Sequence, residues 1–269
     1  MGKNKGEQPA LGTFRSDNFK RRTRYTAVFI VLLAALFVVI ILNINTGNVH
    51  ISVGQILKII FSGGHGTGTD YNIIWKIRLP RIIMAAILGG GLSLSGFLLQ
   101  TFFNNPIAGP FVLGISQGAK LVVALTLILT LRHGFTPGSP GLILAAFMGS
   151  LISTGFILLI SRRTRKMSLL VICGIMIGYI CSAVTEFLIT FAEDSDIVNL
   201  HGWSQGSFSG ANWSSTGTAA LIIGTAFVCV FFLSKPIGAY QMGEAYAQSM
   251  GVNIRRFRVA LILLSGILS

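Results

Sequence analysis

The sequence predicts an all-α fold, a polytopic bundle of membrane helices, on three observations. Hydrophobic residues make up 52% of the 269 residues and charged residues only 11%, too little charge to cover a soluble domain. Mean hydropathy is +0.73, and several apolar runs exceed the roughly 18 residues that suffice to cross a bilayer as a helix. The cations, finally, sit in short clusters between those runs, which is how membrane topology is written. That placement also disposes of nucleic acid as the partner of a chain with net charge +13, since no basic face is assembled.

Residues 1–24 read as a basic cytosolic tail, with Lys3, Lys5, Arg15, Lys20, Arg21, Arg22 and Arg24 against Glu7 and Asp17. Residues 25–269 read as a transmembrane domain, incomplete at its carboxyl end. The first span is expected over 25–42, an aliphatic run that faces lipid over much of its surface. Its length exceeds a signal-peptide core and no A-x-A-like site follows. In the connection 43–81, "ISVGQILKIIF" has apolar residues at helical spacing and predicts a short interfacial helix. The "SGGHGTGTD" that follows is a loop, without the Lys-Ser/Thr of a phosphate-binding loop.

Five further complete spans are expected, near 82–103, 111–131, 141–160, 168–191 and 218–234. A seventh begins around Phe257 and stops at Ser269. Placing the tail inside also puts "SRRTRK" (161–166) and the 235–258 connection inside, which satisfies the positive-inside bias. Cys173, Cys181 and Cys229 lie within apolar runs, without CxxC spacing or a nearby His, so they read as packing residues and no metal site is expected. Gly174 and Gly178 form GxxxG in the fifth span, and Gly91 with Ser95 repeats the small-xxx-small pattern in the second, both read as close packing within the chain.

Two arginines break local rules. Arg78 and Arg81 bracket Leu79-Pro80 ahead of the second span, outside the membrane against the bias. They also stand at an expected helix amino terminus, where the macrodipole disfavours cations. They are either anchors reaching to lipid phosphates or groups placed to meet a partner. Deep in the apolar runs, Ser116, Gln117 and Lys120 of the third span and Ser182, Thr185 and Glu186 of the fifth are polar residues of the kind that line a path. Lys120 could pair with Glu186, or Glu186 could reach the interface.

From Arg78 onward the chain resembles the FecCD family, the membrane subunits of ABC importers for iron–siderophore complexes, haem and vitamin B12. The matching residues are "RLPR" (78–81), "GFLLQTFFNNPIAGPFVLGISQGA" (96–119), "GSFSGANW" (206–213) and "MGEAYAQSMGVNIRRFR" (242–258), in the family's order and spacing. Members have about ten spans of membrane-crossing length and work as dimers, each half bearing one cytosolic ATPase. The family's closing Pro-His-Ile-Ala-Arg-like motif has no counterpart here.

The resemblance implies that Arg78 and Arg81 pair with acidic residues on an extracytoplasmic substrate-binding protein, with Pro80 stiffening the segment and biasing Leu79 toward an extended conformation. It implies that 242–253 is the coupling helix received by the ATPase, with Gly243, Glu244, Ala247, Ser249 and Gly251 matching and Met250 standing where Leu is commoner. Gly251 is placed to end that helix. The third- and fifth-span residues become candidates for the translocation path.

The expected function is therefore the permease subunit of a binding-protein-dependent ABC importer in the plasma or inner membrane, with its amino terminus in the cytosol. Its partners would be the ATPase, the binding protein, a second permease subunit and membrane lipid. Ferric siderophore is the first expected cargo, as the commonest among relatives, with haem or cobalamin as alternatives. No nucleotide motif occurs, so the chain is not itself an enzyme and binds no cofactor; ATP and Mg²⁺ are used by the partner. An ion-coupled secondary transporter, with Lys120 and Glu186 as relay groups, is a more distant rival. A membrane-embedded enzyme is disfavoured, because no His, Asp or Cys residues converge.

Overall fold

The computed structural model describes residues 11–45, 51–61, 68–111, 113–132, 135, 138–163 and 167–269. The first ten residues of the expected tail, 62–67 of the expected loop and 164–166 of the inner basic cluster lie outside these. All regular structure among the described residues is helical, as expected of a chain whose backbone must satisfy its own hydrogen bonds in lipid. The chain divides into two units, 1–82 and 83–269.

In the first unit, α1 (Leu11–Asn45) runs unbroken across the boundary between the expected tail and first span. From Phe19 to Asn43 every side chain except that of Ile40 is exposed, as befits a helix surrounded by lipid. Its carboxyl end is the part that packs: Ile44 joins Ile51, Ile56, Ile74 and Leu79 in one apolar cluster. The expected short helix is present as α2 (Val53–Phe61). Ser52 and Gln55 exchange bonds at its start, Gln55 N–H donating to Ser52 Oγ at 3.4 Å and Ser52 N–H to Gln55 Oε1 at 3.3 Å, a capping box. Next, α3 (Thr69–Tyr71) leads through a π-helical turn, Asn72–Arg78, into α4 (Leu79–Phe103).

The second unit contains the rest of α4 with α5 (Ile115–Arg132), α6 (Ser139–Arg163), α7 (Met167–Ile189), α8 (Asp194–Gln205), α9 (Trp213–Phe232), α10 (Ser234–Gln241), α11 (Glu244–Ser249) and α12 (Ile254–Leu268). Among the described residues five helices are long and apolar enough to cross a membrane: Phe19–Asn45, Thr69–Phe103, Pro140–Ile160, Ser168–Ile189 and Trp213–Phe232. The expected third span is the short one, its apolar stretch covering only Ile115–Thr130. The helix starts four residues later than 111 because the preceding chain is an ordered non-helical turn. Asn104 there has φ 46° and Asn105 Oδ1 accepts from Ile107 N–H at 3.0 Å.

Leu113 and Gly114 are fully buried where that turn meets α7. Gly114 has φ 72°, and a Cβ on it would lie 2.6 Å from Gly178 N and 2.9 Å from Gly174 O. The GxxxG of the fifth span is thus a notch for a backbone turn inside the chain. Gly174 and Gly178 sit about 10 Å and about 16 Å along α7 from Met167, at the helical rise per residue, so the turn is seated at membrane depth. The α5–α6 crossing is equally close, with Gly118 against Gly149 and Ser153. In the second span, Ser95 Oγ lies 2.8 Å from Ser265 Oγ and donates to the Ser265 carbonyl at 3.0 Å, while Gly91 faces Ile223. Small residues let α4 approach α12 and α9 closely.

Besides the helical turns over 69–78, where the sequence suggested a loop and a connection, two helices went unforeseen. The acidic stretch between the fifth and sixth expected spans forms α8, whose first turn holds Asp194 and Asp196, carboxylates favoured by the macrodipole there. Its Leu200 and Trp203 pack on Val123, Ala124 and Leu127. The other is α10, which begins directly after α9 ends at Phe232.

Gly114→Ala should lower stability by roughly 2 kcal/mol or more, since it adds a positive-φ penalty to overpacking. Gly155→Ala, with open space around the added methyl, should leave it unchanged or slightly raised. Thermal unfolding in detergent compares the two.

Candidate functional site

The RLPR segment differs from its sequence reading in a way that removes one of its anomalies. Leu79 is not extended but helical, φ −60° and ψ −49°, and its N–H donates to the carbonyl of Ile74, five residues back. The widened turn shifts carbonyls away from the proline ring, so Pro80 is carried inside a helix that a regular α turn would have lost. The helix amino terminus therefore lies at Thr69, with Asp70 in the first turn, where an acid is favoured. Arg78 and Arg81 stand well inside a continuous helical run and are both half-buried. Arg78 Nη1 donates to the carbonyl oxygen of Ile44, in the last turn of α1. A cation there meets carbonyls without intrahelical partners and the negative end of the dipole. Arg78 thus ties down the carboxyl end of α1, a role the sequence did not reveal.

At the other candidate site, α11 is framed by two glycines that must adopt positive φ, Gly243 at 124° and Gly251 at 87°. Gly251 ends the helix as the sequence suggested. Its N–H donates to the Gln248 carbonyl and that of Val252 to the Ala247 carbonyl, both at 3.0 Å, a Schellman closure. Ala247 is completely buried, and Ser249 Oγ turns back to the Tyr246 carbonyl at 2.8 Å. Met250, Met242 and Tyr246 are exposed. Glu244 does not point outward alone: its Oε2 receives Nη2 of Arg258 at 2.9 Å. That is the one ion pair among the described residues.

The candidate path residues separate. Ser116 lines a cavity of about 180 Å³ with Ala119 of α5, Ala146 and Ser150 of α6 and Ile267 of α12. Gln117 lies against Gly178 of α7, and its buried Oε1 meets no donor among the described residues. Lys120 and Ser182 are half-buried and Glu186 is exposed. Lys120 and Glu186 form no ion pair. Thr185 is buried but satisfied locally, its hydroxyl donating to the Cys181 carbonyl at 2.8 Å. Among the described residues no group of three or more His, Cys, Asp or Glu is placed to hold a metal.

A profile of the FecCD transport family matches residues 33–269, and the chain belongs to that family. It is 35% identical over 194 residues to the vitamin B12 import system permease protein BtuC of Klebsiella pneumoniae, covering 72% of this chain and 57% of that one. It is 34% identical over 193 residues to the same-named protein of Salmonella typhi, covering 72% and 58%. The chain thus spans little more than half the length of these curated relatives. A solved structure described as an inward-facing metal-chelate type ABC transporter superposes with a TM-score of 0.75, at 24% identity, over 91% of this chain and 74% of that one. The fold is therefore that of an ABC-transporter permease, a multi-pass membrane protein.

Arg78→Ala removes a charged hydrogen bond that holds α1 and should destabilise the fold by about 1–3 kcal/mol. Limited proteolysis should then cut sooner near residue 45, whereas Arg78→Lys, with a single-point cation, should show an intermediate rate.

Proposed function

We propose that this chain is the permease subunit of a binding-protein-dependent ABC importer, and that it carries a bulky metal chelate across the membrane. The observation that carries this reading is the family match over 33–269, which includes both the RLPR segment and α11. In this reading Arg81, with Arg78, receives acidic residues of an extracytoplasmic binding protein through directional guanidinium–carboxylate contacts. The α11 segment, with Gly243, Glu244, Ala247, Ser249, Met250 and Gly251, takes up the motion of a cytosolic ATPase. That subunit binds ATP and Mg²⁺; this chain binds neither. A second permease subunit completes the path, and the amino terminus lies in the cytosol.

Cobalamin is the first cargo to test, because the relatives at 34–35% identity are by name vitamin B12 permeases. The ferric siderophore expected from the sequence rests on a base rate alone and takes second place. Both are large chelates that need a wide path of small and apolar side chains rather than ligands for a bare ion. Ser116 on its cavity and the unsatisfied Gln117 are the favoured wall residues. Lys120 and Ser182 are secondary candidates, while Thr185, bonded to its own helix, and exposed Glu186 are weaker ones.

Cells lacking their own importers, supplied with this permease, its ATPase and its binding protein, should accumulate labelled cyanocobalamin. Labelled ferric siderophore serves as the parallel probe. Arg81→Glu should abolish uptake, and a reversed charge on the binding protein should restore it. Uptake unaffected by Arg81→Glu would sink the docking role, and uptake that persists without the ATPase would sink the ABC reading.

A further inference from the structure

A six-residue helix such as α11 has no stability of its own, and it is hinged at both ends by glycines with positive φ. Its orientation must come from contacts outside it. One contact is the burial of Ala247. The other converges on a single side chain of α12. Arg258 Nη2 donates to Glu244 Oε2 at 2.9 Å, while Nε donates to the Tyr240 hydroxyl of α10 at 3.2 Å. The guanidinium carbon stands 5.9 Å from the centre of the Phe102 ring on α4. Arg258 is 15% exposed and Glu244 49%, so the cation is the buried anchor and the carboxylate the handle.

Around this centre the other contacts are consistent. Tyr240 is buried, packs on Phe257 with ring centres 5.3 Å apart, and turns its hydroxyl toward the Phe102 carbonyl at 3.5 Å. Gln241 Nε2 reaches Thr101 Oγ1 at 3.4 Å. Phe102 itself has no exposure and lies in the last turn of α4, where a nearby cation is favoured. Four helices thus meet at one planar fork whose donors point in fixed directions, an arrangement that the single ammonium of Lys cannot reproduce.

We propose that Arg258 is a positioning residue for energy coupling: it clamps α11 through Glu244 and makes that segment move as one body with α12 and the end of α4. Glu244 on this account faces its own chain rather than the ATPase, and the face offered to the partner is Tyr246 with Met242 and Met250. The proposal rests on the reading of α11 as the coupling segment.

The test uses the complete permease in detergent, with the purified ATPase subunit as the probe. Its affinity is measured together with the ATP hydrolysis of the assembled transporter in proteoliposomes. Arg258→Gln and Glu244→Gln should each weaken ATPase capture about tenfold and slow binding-protein-stimulated hydrolysis in step, the loss expected for one charge-assisted contact. The double variant Glu244→Gln/Arg258→Gln should lose little more than Arg258→Gln alone, because both single changes break the same contact. If Arg258→Gln does not purify as a single species, Arg258→Lys and Glu244→Gln carry the test. Single variants with unchanged capture, or a Glu244→Gln/Arg258→Gln double variant whose losses simply add, would overturn the clamp. Tyr246→Glu separates the premise from the proposal. Loss of capture there beside an unaffected Arg258→Gln discards the clamp alone. Capture that survives Tyr246→Glu discards the coupling reading and the clamp with it.

Discussion

The interaction on which the second unit depends is the seating of the Leu113–Gly114 backbone in the Gly174/Gly178 notch of α7. Lipid offers no partner to an irregular peptide unit, so non-helical backbone at membrane depth must be buried in protein. Gly114 meets that condition by contact closer than any side chain allows. With the turn fixed, α5 begins at Ile115, crosses α6 at Gly118 and Gly149, and carries Ser116 and Gln117 into the interior. The third span is short because the turn covers part of the distance that a helix would otherwise cover.

A second pattern runs through both candidate sites: guanidinium groups act first within the chain. Arg78 meets the last turn of α1, and Arg258 joins Glu244 to Tyr240. In each case an arginine brings separate helices together: Arg78, read from the sequence as a lipid anchor or a docking group, and Arg258, which the sequence offered only as part of the 242–258 match. Where such a residue also lies next to a partner surface, loss of the partner and loss of internal order give similar phenotypes. Charge reversal with compensation tells them apart.

Much of the architecture was legible because hydropathy periods are long and membrane spans tolerate few charges. The short helix of 53–61, the termination at Gly251 and the close packing at GxxxG also followed from local chemistry. What escaped were features set by tertiary contact. Pro80 suggested an extended Leu79, since nothing local announces the π turn that accommodates it. The 194–205 helix hid behind low hydrophobicity, although Asp194 and Asp196 ahead of Leu200 and Trp203 formed a readable start signal. Nothing local announced that the Glu244 carboxylate meets Arg258, which lies across a turn. Lys120 and Glu186, whose pairing the sequence left open beside an interfacial Glu186, form no ion pair.

The notch in α7 has a consequence for how the protein is made. Leu113 and Gly114 leave the ribosome some 60 residues ahead of the glycines that receive them, at chain growth of roughly 5–20 residues per second. During that interval the third span holds an irregular segment without its cover, and it cannot come to rest until α7 arrives. Assembly of this bundle is thus sequential by construction. A slow or misplaced fifth span leaves the third exposed to quality control, so the two glycines govern the yield of the protein as well as its shape.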